Sequence, residues 1–175
     1  MSKWTVYISS TFRDLREYRA ELINLFENQL NDQFELSTIM ERMFDDGTYT
    51  PFLDDCIDAV NSSDIYIIIL GNKTGSFPPN ESRTYTEIEL DTALDNDKKI
   101  FCLHLDSFNE AEIDNKAIHD RLLDKFRGRP TRTFTNATTL KNALFESLIP
   151  FSYQSPVNRE NPYKGLAAFD VEDGD

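Results

Sequence analysis

Apolar residues recur along the chain in two patterns, which predict strands and helices in turn. Ile65 to Leu70 is an unbroken apolar run, typical of a strand buried on both faces of a parallel sheet. Between Leu15 and Leu30 the apolar residues instead follow helical spacing. Further strands are predicted at Trp4–Ser9, Phe34–Met40, Ile100–Leu105 and Thr131–Phe134. Further helices are predicted after Pro51, from Thr84 or Thr86 to about Asn96, over Asn109–Phe126, and from Thr138 or Thr139 to about Leu148.

The alternation of strands and helices predicts a flavodoxin-like, doubly wound α/β fold. We expect a sheet of four to five mostly parallel strands with helices on both faces. Because the crossovers of such a sheet are right-handed, the carboxyl ends of all strands lie at one edge, where ligands bind. The loops 9–13, 41–47 and 71–83 are predicted to meet at that edge.

The chain is long enough for one domain with its own hydrophobic core. Residues 1–150 are predicted to form this α/β domain. Residues 151–162 are polar and punctuated by proline, which indicates a linker. The remaining segment, 163–175, is too short to fold alone.

Charge and composition narrow the classes of function. The formal net charge is −13, and such an acidic surface disfavours generic nucleic-acid binding because it repels phosphate. Cys56 and Cys102 form no CxxC pair, which fits free thiols in a reducing cytosol. There is no signal peptide and no apolar run near the roughly 20 residues that span a bilayer, so we expect a cytoplasmic protein without membrane contact. His104 and His119 lack metal-ligand spacing, and no metal site is predicted.

Polar residues of the predicted loops are candidates for binding an anionic ligand. Ser9, Ser10 and Thr11 precede the first helix, where hydroxyls and free amides attract phosphate. The same residues could equally do no more than cap that helix. Lys73 lies in a loop with glycines but without the residue order of a Walker A motif, so it could contact an anion or simply be exposed.

Acidic residues at the same edge form a second group of candidates. Glu41 follows the second strand and could bind a ribose hydroxyl, or pair with Arg42 or Arg13. Glu87 and Glu89 open the helix that follows the central strand. Because they lie two residues apart, they face different directions, and one can point into the crevice while the other is solvated. Both could also be surface carboxylates favoured by the helix dipole, and the residues alone leave this open.

Four stretches together resemble a known family. They are Val6–Arg19, Met40–Glu41, Ser63–Gly71 and Tyr85–Leu90. They resemble the TIR-like domain of unknown function at the N-terminus of many STAND (NLR-like) NTPases. The segment 161–173 looks like the lead-in to the STAND module, so we expect the chain to be part of a longer protein. The resemblance implies the effector domain of a bacterial anti-phage sensor, which self-associates through its STAND module.

A more distant resemblance bears on catalysis. TIR domains that cleave NAD carry an aromatic-Cys-x-x-Glu-Leu pattern, and Tyr85 and Glu89 match its aromatic and its catalytic glutamate, with Thr86 in place of the cysteine. Nucleoside deoxyribosyltransferases carry a Glu-x-Gly-x-Ala pattern, of which Glu89 and Ala93 match the ends but the glycine is missing. In the closer family, Glu87 is the more typical landmark.

The resemblance implies hydrolysis of the N-glycosidic bond of NAD or a related nucleotide, with NAD as a substrate and no cofactor. Glu89 leads as the catalytic residue, and Glu87 is its rival. A hydrolase of this kind is expected to act only when several copies are assembled. The alternative is a non-catalytic TIR-like adaptor that signals through domain contacts. The implied nucleotide site consists of Ser9, Ser10, Thr11, Arg13, Glu41, Lys73 and Tyr85.

Overall fold

Five parallel strands form one sheet in the computed structural model, which describes residues 2–10, 18–37 and 52–154, and only the backbone of residues 19 and 20. The sheet has the order β2-β1-β3-β4-β5, so the predicted flavodoxin-like α/β class is confirmed. The strands are β1 (Trp4–Ser10), β2 (Phe34–Leu36), β3 (Ile65–Leu70), β4 (Lys99–Leu105) and β5 (Thr131–Phe134). The helices are α1 (Arg19–Asn28), α2 (Leu53–Ser62), α3 (Tyr85–Asp95), α4 (Lys116–Lys125) and α5 (Ala137–Leu148).

The central strand β3 is the most deeply buried element of the sheet. All six of its side chains are inaccessible to solvent, as the apolar run predicted. Its neighbours β1 and β4 pair with it in parallel, and helices cover the sheet on both faces. On β1, Tyr7 and Ser9 face α3, while Trp4 points to the other face and packs edge-on against Phe151.

Three predicted helix and strand boundaries differ from the observed ones, and side-chain caps explain two of the differences. The predicted helix over Asn109–Phe126 is instead a 3-10 turn (Glu110–Glu112) followed by α4. Asn109 and Asn115 each accept a hydrogen bond from a backbone N–H, so each starts a separate segment. Similarly, α5 begins earlier than predicted because Asn136 caps it. The strand predicted over Phe34–Met40 ends at Leu36, and residues 38–40 lie outside the described part.

The chain continues in packed structure beyond α5. A 3-10 turn (Ile149–Tyr153) brings the Phe151 ring against Trp4 and Phe101. The indole N–H of Trp4 donates a hydrogen bond of 3.2 Å to the Phe151 carbonyl oxygen. The first residues of the segment predicted as a linker therefore belong to the packed fold.

The strand order predicts a ligand-binding crevice at the carboxyl end of β1. The chain runs from β1 to β2 on one side and then to β3 on the other side of β1. In sheets with this order, ligands bind where the direction of winding reverses, between β1 and β3. Ser9 and Ser10 end β1, Gly71 follows β3, and the N-terminus of α3 lies at the same edge.

Candidate functional site

Glu89 is buried against the carboxyl-terminal half of β1, with a donor at each carboxylate oxygen. The Tyr7 hydroxyl donates to Oε1 over 2.9 Å, and the Ser9 hydroxyl donates to Oε2 over 2.5 Å. Tyr7 and Ser9 lie two residues apart on a strand and so point to the same face. The Cys56 thiol of α2 is a third donor to the carboxylate. Two elements of the core, a strand and a helix, therefore converge on one acidic side chain carried by α3.

The environment of Glu89 shifts its ionisation to neutral pH. Burial raises the pKa of the Glu89 carboxyl from 4.5 to about 7, while the hydrogen bonds from Ser9, Tyr7 and Cys56 oppose the increase. Among the described residues, no lysine or arginine forms an ion pair with this carboxylate. Glu89 therefore changes charge at physiological pH, and a carboxyl poised in this way is common at functional sites.

The groups around Glu89 remain neutral over the pH range in which it titrates. Burial, and then the nearby charge of Glu89, raise the pKa of both Tyr7 and Tyr66 well above its ordinary value. The same two causes raise the pKa of the Cys56 thiol to about 12. Tyr66 stacks on Tyr7 with ring centroids 5.9 Å apart, and its hydroxyl lies near Ser9 without a hydrogen bond of normal geometry.

Glu87 has a different environment, although it lies only two residues before Glu89. Its Oε2 accepts a hydrogen bond of 3.0 Å from the backbone N–H of Thr84, and the Thr84 hydroxyl accepts one from the Glu87 N–H. This reciprocal pair is a capping box that closes the start of α3. Its Oε1 accepts two hydrogen bonds from the Arg121 guanidinium of α4, at 2.8 and 3.1 Å. Both oxygens of Glu87 are thus occupied by contacts that hold two helices in place.

The other predicted site residues lie in several places. Ser10 is half-buried at the end of β1, next to the cluster around Glu89. Tyr85, the first residue of α3, is partly exposed. Its pKa is raised by burial and by electrostatic interaction with Cys56 and Glu89, so it lies near both residues. Lys73 donates to the carbonyl oxygen of Glu112 over 2.7 Å, in the loop that follows β3. Thr11, Arg13 and Glu41 lie outside the described residues.

Sequence reasoning missed three residues that face Glu89, namely Tyr7, Tyr66 and Cys56. Alternation on β1 would have placed Tyr7 beside Ser9, since both occupy the same face of the strand. The apolar spacing of α2 did place Cys56 on its inner face, but as a small hydrophobic residue rather than a donor. No signal in the sequence pairs either residue with Glu89.

The described residues contain no other constellation that suggests chemistry. They include no group of three or more His, Cys, Asp or Glu side chains arranged to hold a metal ion. Cys56 and Cys102 are both buried and unbridged. None of the helices in residues 2–10, 18–37 and 52–154 has the length and apolar character needed to cross a bilayer.

Two solved structures are similar to this chain. A CMP N-glycosidase from Clostridium botulinum is 20% identical, with a TM-score of 0.45, and the match covers 80% of this chain and 96% of that one. A de novo designed Rossmann 2x3 fold protein is 14% identical, also with a TM-score of 0.45, over 85% of this chain and 90% of that one. Similarity at this level transfers neither a substrate nor a catalytic residue.

Comparison at the level of sequence identifies the family. No curated protein matches the chain. The profile of a domain of unknown function, DUF4062, matches residues 5–149, which include all the described residues around Glu89. The chain therefore belongs to the DUF4062 family.

Proposed function

We propose that this domain hydrolyses the N-glycosidic bond of NAD or a related nucleotide, with Glu89 as the catalytic carboxylate. The observation that supports this most is the placement of Glu89, whose two oxygens are held by Tyr7 and Ser9 at the carboxyl end of β1. The pKa of Glu89, raised to about 7 by burial, is a second support, because carboxyls whose pKa is strongly shifted by their surroundings are common at functional sites.

The chemistry needs one carboxylate close to the anomeric carbon of the ribose. When the bond between this carbon and the base nitrogen breaks, its electron pair leaves with the base and the sugar becomes an oxocarbenium-like cation. The Glu89 carboxylate would stabilise this cation electrostatically. A water molecule then adds to the anomeric carbon and loses a proton, which leaves free base and ribosyl product.

Glu87 is less suited to this role than Glu89. Its carboxylate is committed to the capping box and to Arg121, and a cationic partner already compensates its charge. A substrate would have to displace these contacts and thereby loosen the start of α3. We therefore assign Glu87 to structure and Glu89 to chemistry.

A nucleotide also needs donors for its phosphates in this acidic protein. The hydroxyl of Ser9 donates to Glu89, so we assign the diphosphate to the hydroxyl of Ser10 at the end of β1. Tyr85, partly exposed near Glu89, is suited to contact the sugar or the base. Thr11, Arg13, Glu41 and Lys73 remain proposed contributors.

The biological setting is proposed from the resemblance to TIR-like domains. In this proposal the domain is the N-terminal effector of a cytoplasmic STAND NTPase in anti-phage defence. The STAND module would assemble several copies, and assembly would complete the active site and switch on hydrolysis.

The test is release of free base, measured by chromatography after incubation with NAD, NADP and purine and pyrimidine mononucleotides. The 175-residue chain should be compared as it is and fused to an oligomer-forming tag. We expect the clustered form to release base from at least one dinucleotide, and the unclustered form to release little. If the folded, clustered chain releases no base from any of them, the adaptor function replaces the enzymatic one.

A further inference from the structure

Two tyrosines lie side by side beneath the site and differ in one contact. Tyr7 on β1 and Tyr66 on β3 are register partners, and their rings stack with an interplanar angle of 6°. Both are fully buried in the same layer. The hydroxyl of Tyr7 donates to Glu89, whereas the hydroxyl of Tyr66 has no hydrogen bond of normal geometry.

Among the described residues, the groups that face Glu89 are all uncharged. Tyr7 and Ser9 approach from β1, Cys56 from α2, Tyr66 from β3, and Tyr85 lies on the same helix one turn earlier. In the absence of a cationic partner among these groups, only hydrogen-bond donors offset the cost of burying a negative charge. Removing one such donor should therefore favour the neutral form of the carboxyl.

The two hydroxyls that bond Glu89 also determine its orientation. Tyr7 binds one carboxylate oxygen and Ser9 binds the other, so rotation about the last side-chain bond would break both contacts. The aromatic ring of Tyr7 is fixed by its stacking on Tyr66, which makes the position of its hydroxyl rigid. A charge held this rigidly needs little reorganisation when a cation develops beside it.

We propose that Tyr7 is a positioning residue, whose hydroxyl keeps the Glu89 carboxylate charged and correctly oriented, and that the hydroxyl of its stacked neighbour Tyr66 has no such role. The part of this inference that concerns rate depends on the proposed function, because it assumes that Glu89 acts as a carboxylate. The part that concerns ionisation does not, because it can be measured without a substrate.

The first test compares Tyr7→Phe with Tyr66→Phe by urea unfolding over a series of pH values. Both changes delete one buried hydroxyl and keep the ring, so Tyr66→Phe is a matched control. The free energy of unfolding falls with pH above the unfolded-state pKa of Glu89 and levels off as Glu89 ionises in the folded state. The midpoint of this levelling-off, where the slope has dropped to half its maximum, reports the folded-state pKa. We expect Tyr7→Phe to raise the midpoint by about one pH unit and Tyr66→Phe to leave it unchanged.

Equal midpoints in Tyr7→Phe and the unchanged protein, or equal shifts in both variants, would overturn the inference. Should Tyr7→Phe fail to fold, Ser9→Ala removes the other hydroxyl donor and is expected to shift the midpoint in the same direction.

The second test is the pH dependence of base release by the clustered protein. Tyr7→Phe is expected to move the rising limb of the rate to higher pH by the same amount, with most of the activity recovered in alkaline solution. A loss of activity at every pH, without a shift of the limb, would contradict the positioning role. If no variant releases base, the proposed function fails, and the unfolding midpoints still decide whether Tyr7 sets the ionisation of Glu89.

Discussion

Replacing Glu89 with glutamine is expected to lower the rate of base release by at least about a hundredfold, the typical loss when a charge-stabilising group is removed from an active site. Glutamine is almost isosteric with glutamate. Its carbonyl oxygen can accept a hydrogen bond from one of the two hydroxyls of Tyr7 and Ser9, and its NH2 group can donate to the other. It carries no negative charge, so it cannot stabilise the cation that forms on the ribose. The binding of substrate should change much less than the rate, because the carboxylate acts mainly in the transition state.

Glu87→Gln is the matched control for this prediction. It removes the same charge two residues away, but from a carboxylate that caps α3 and pairs with Arg121. We expect its rate to stay within about threefold of the unchanged protein, together with a modest loss of stability, typical of a weakened helix cap. The measurement is turnover of the clustered protein at saturating nucleotide. If Glu87→Gln loses as much activity as Glu89→Gln, the assignment of the two glutamates is wrong.

Between about pH 4 and about pH 8 the protein is expected to lose about 3 kcal/mol of stability through Glu89 alone. The pKa of this carboxyl is about 7 in the folded state, against 4.5 for an unperturbed glutamate. The folded state therefore binds a proton more tightly than the unfolded state. The stability that this proton contributes is fully present below pH 4.5 and is lost as the pH rises through 7.

Glu89→Gln removes this dependence, because an amide does not titrate. In urea unfolding, the variant should be more stable than the unchanged protein at about pH 8, and the advantage should shrink towards about pH 5. Taking the difference between the two proteins at each pH cancels the contributions of all other carboxylates. A difference that stays constant over this range would mean that Glu89 has an ordinary pKa in the folded protein.

The prediction of the fold succeeded where the signal was local. The apolar run of β3 and the helical spacing of the segments around it were sufficient to predict a parallel α/β sheet. A strand that is buried on both faces has no polar position, and this makes it recognisable in the sequence. Helix boundaries were harder to predict in segments that contain an internal cap. The helix predicted over Asn109–Phe126 is in fact a 3-10 turn at Glu110–Glu112 followed by the separate helix α4. Asn109 and Asn115 are common in both helices and loops, and only their hydrogen bonds mark the break.

The two glutamates illustrate the same limit within the site. The role of Glu87 was readable, since Thr84 followed three residues later by Glu87 is the pattern of a capping box. The environment of Glu89 was not, because its partners Tyr7 and Ser9 lie 82 and 80 residues away in the chain. Their contact depends on which face of β1 receives α3, and this follows from tertiary packing rather than from any local pattern.

We propose Glu89, a buried carboxyl that titrates near neutral pH, as the reactive group of the site. The most direct test is an NMR titration of the side-chain carboxyl carbons in glutamate-labelled protein, with Glu89→Gln used to assign the resonance. We predict one glutamate signal with an apparent pKa of about 7, absent from Glu89→Gln and present in Glu87→Gln. A Glu89 signal that titrates near 4.5, like an exposed glutamate, would contradict the account.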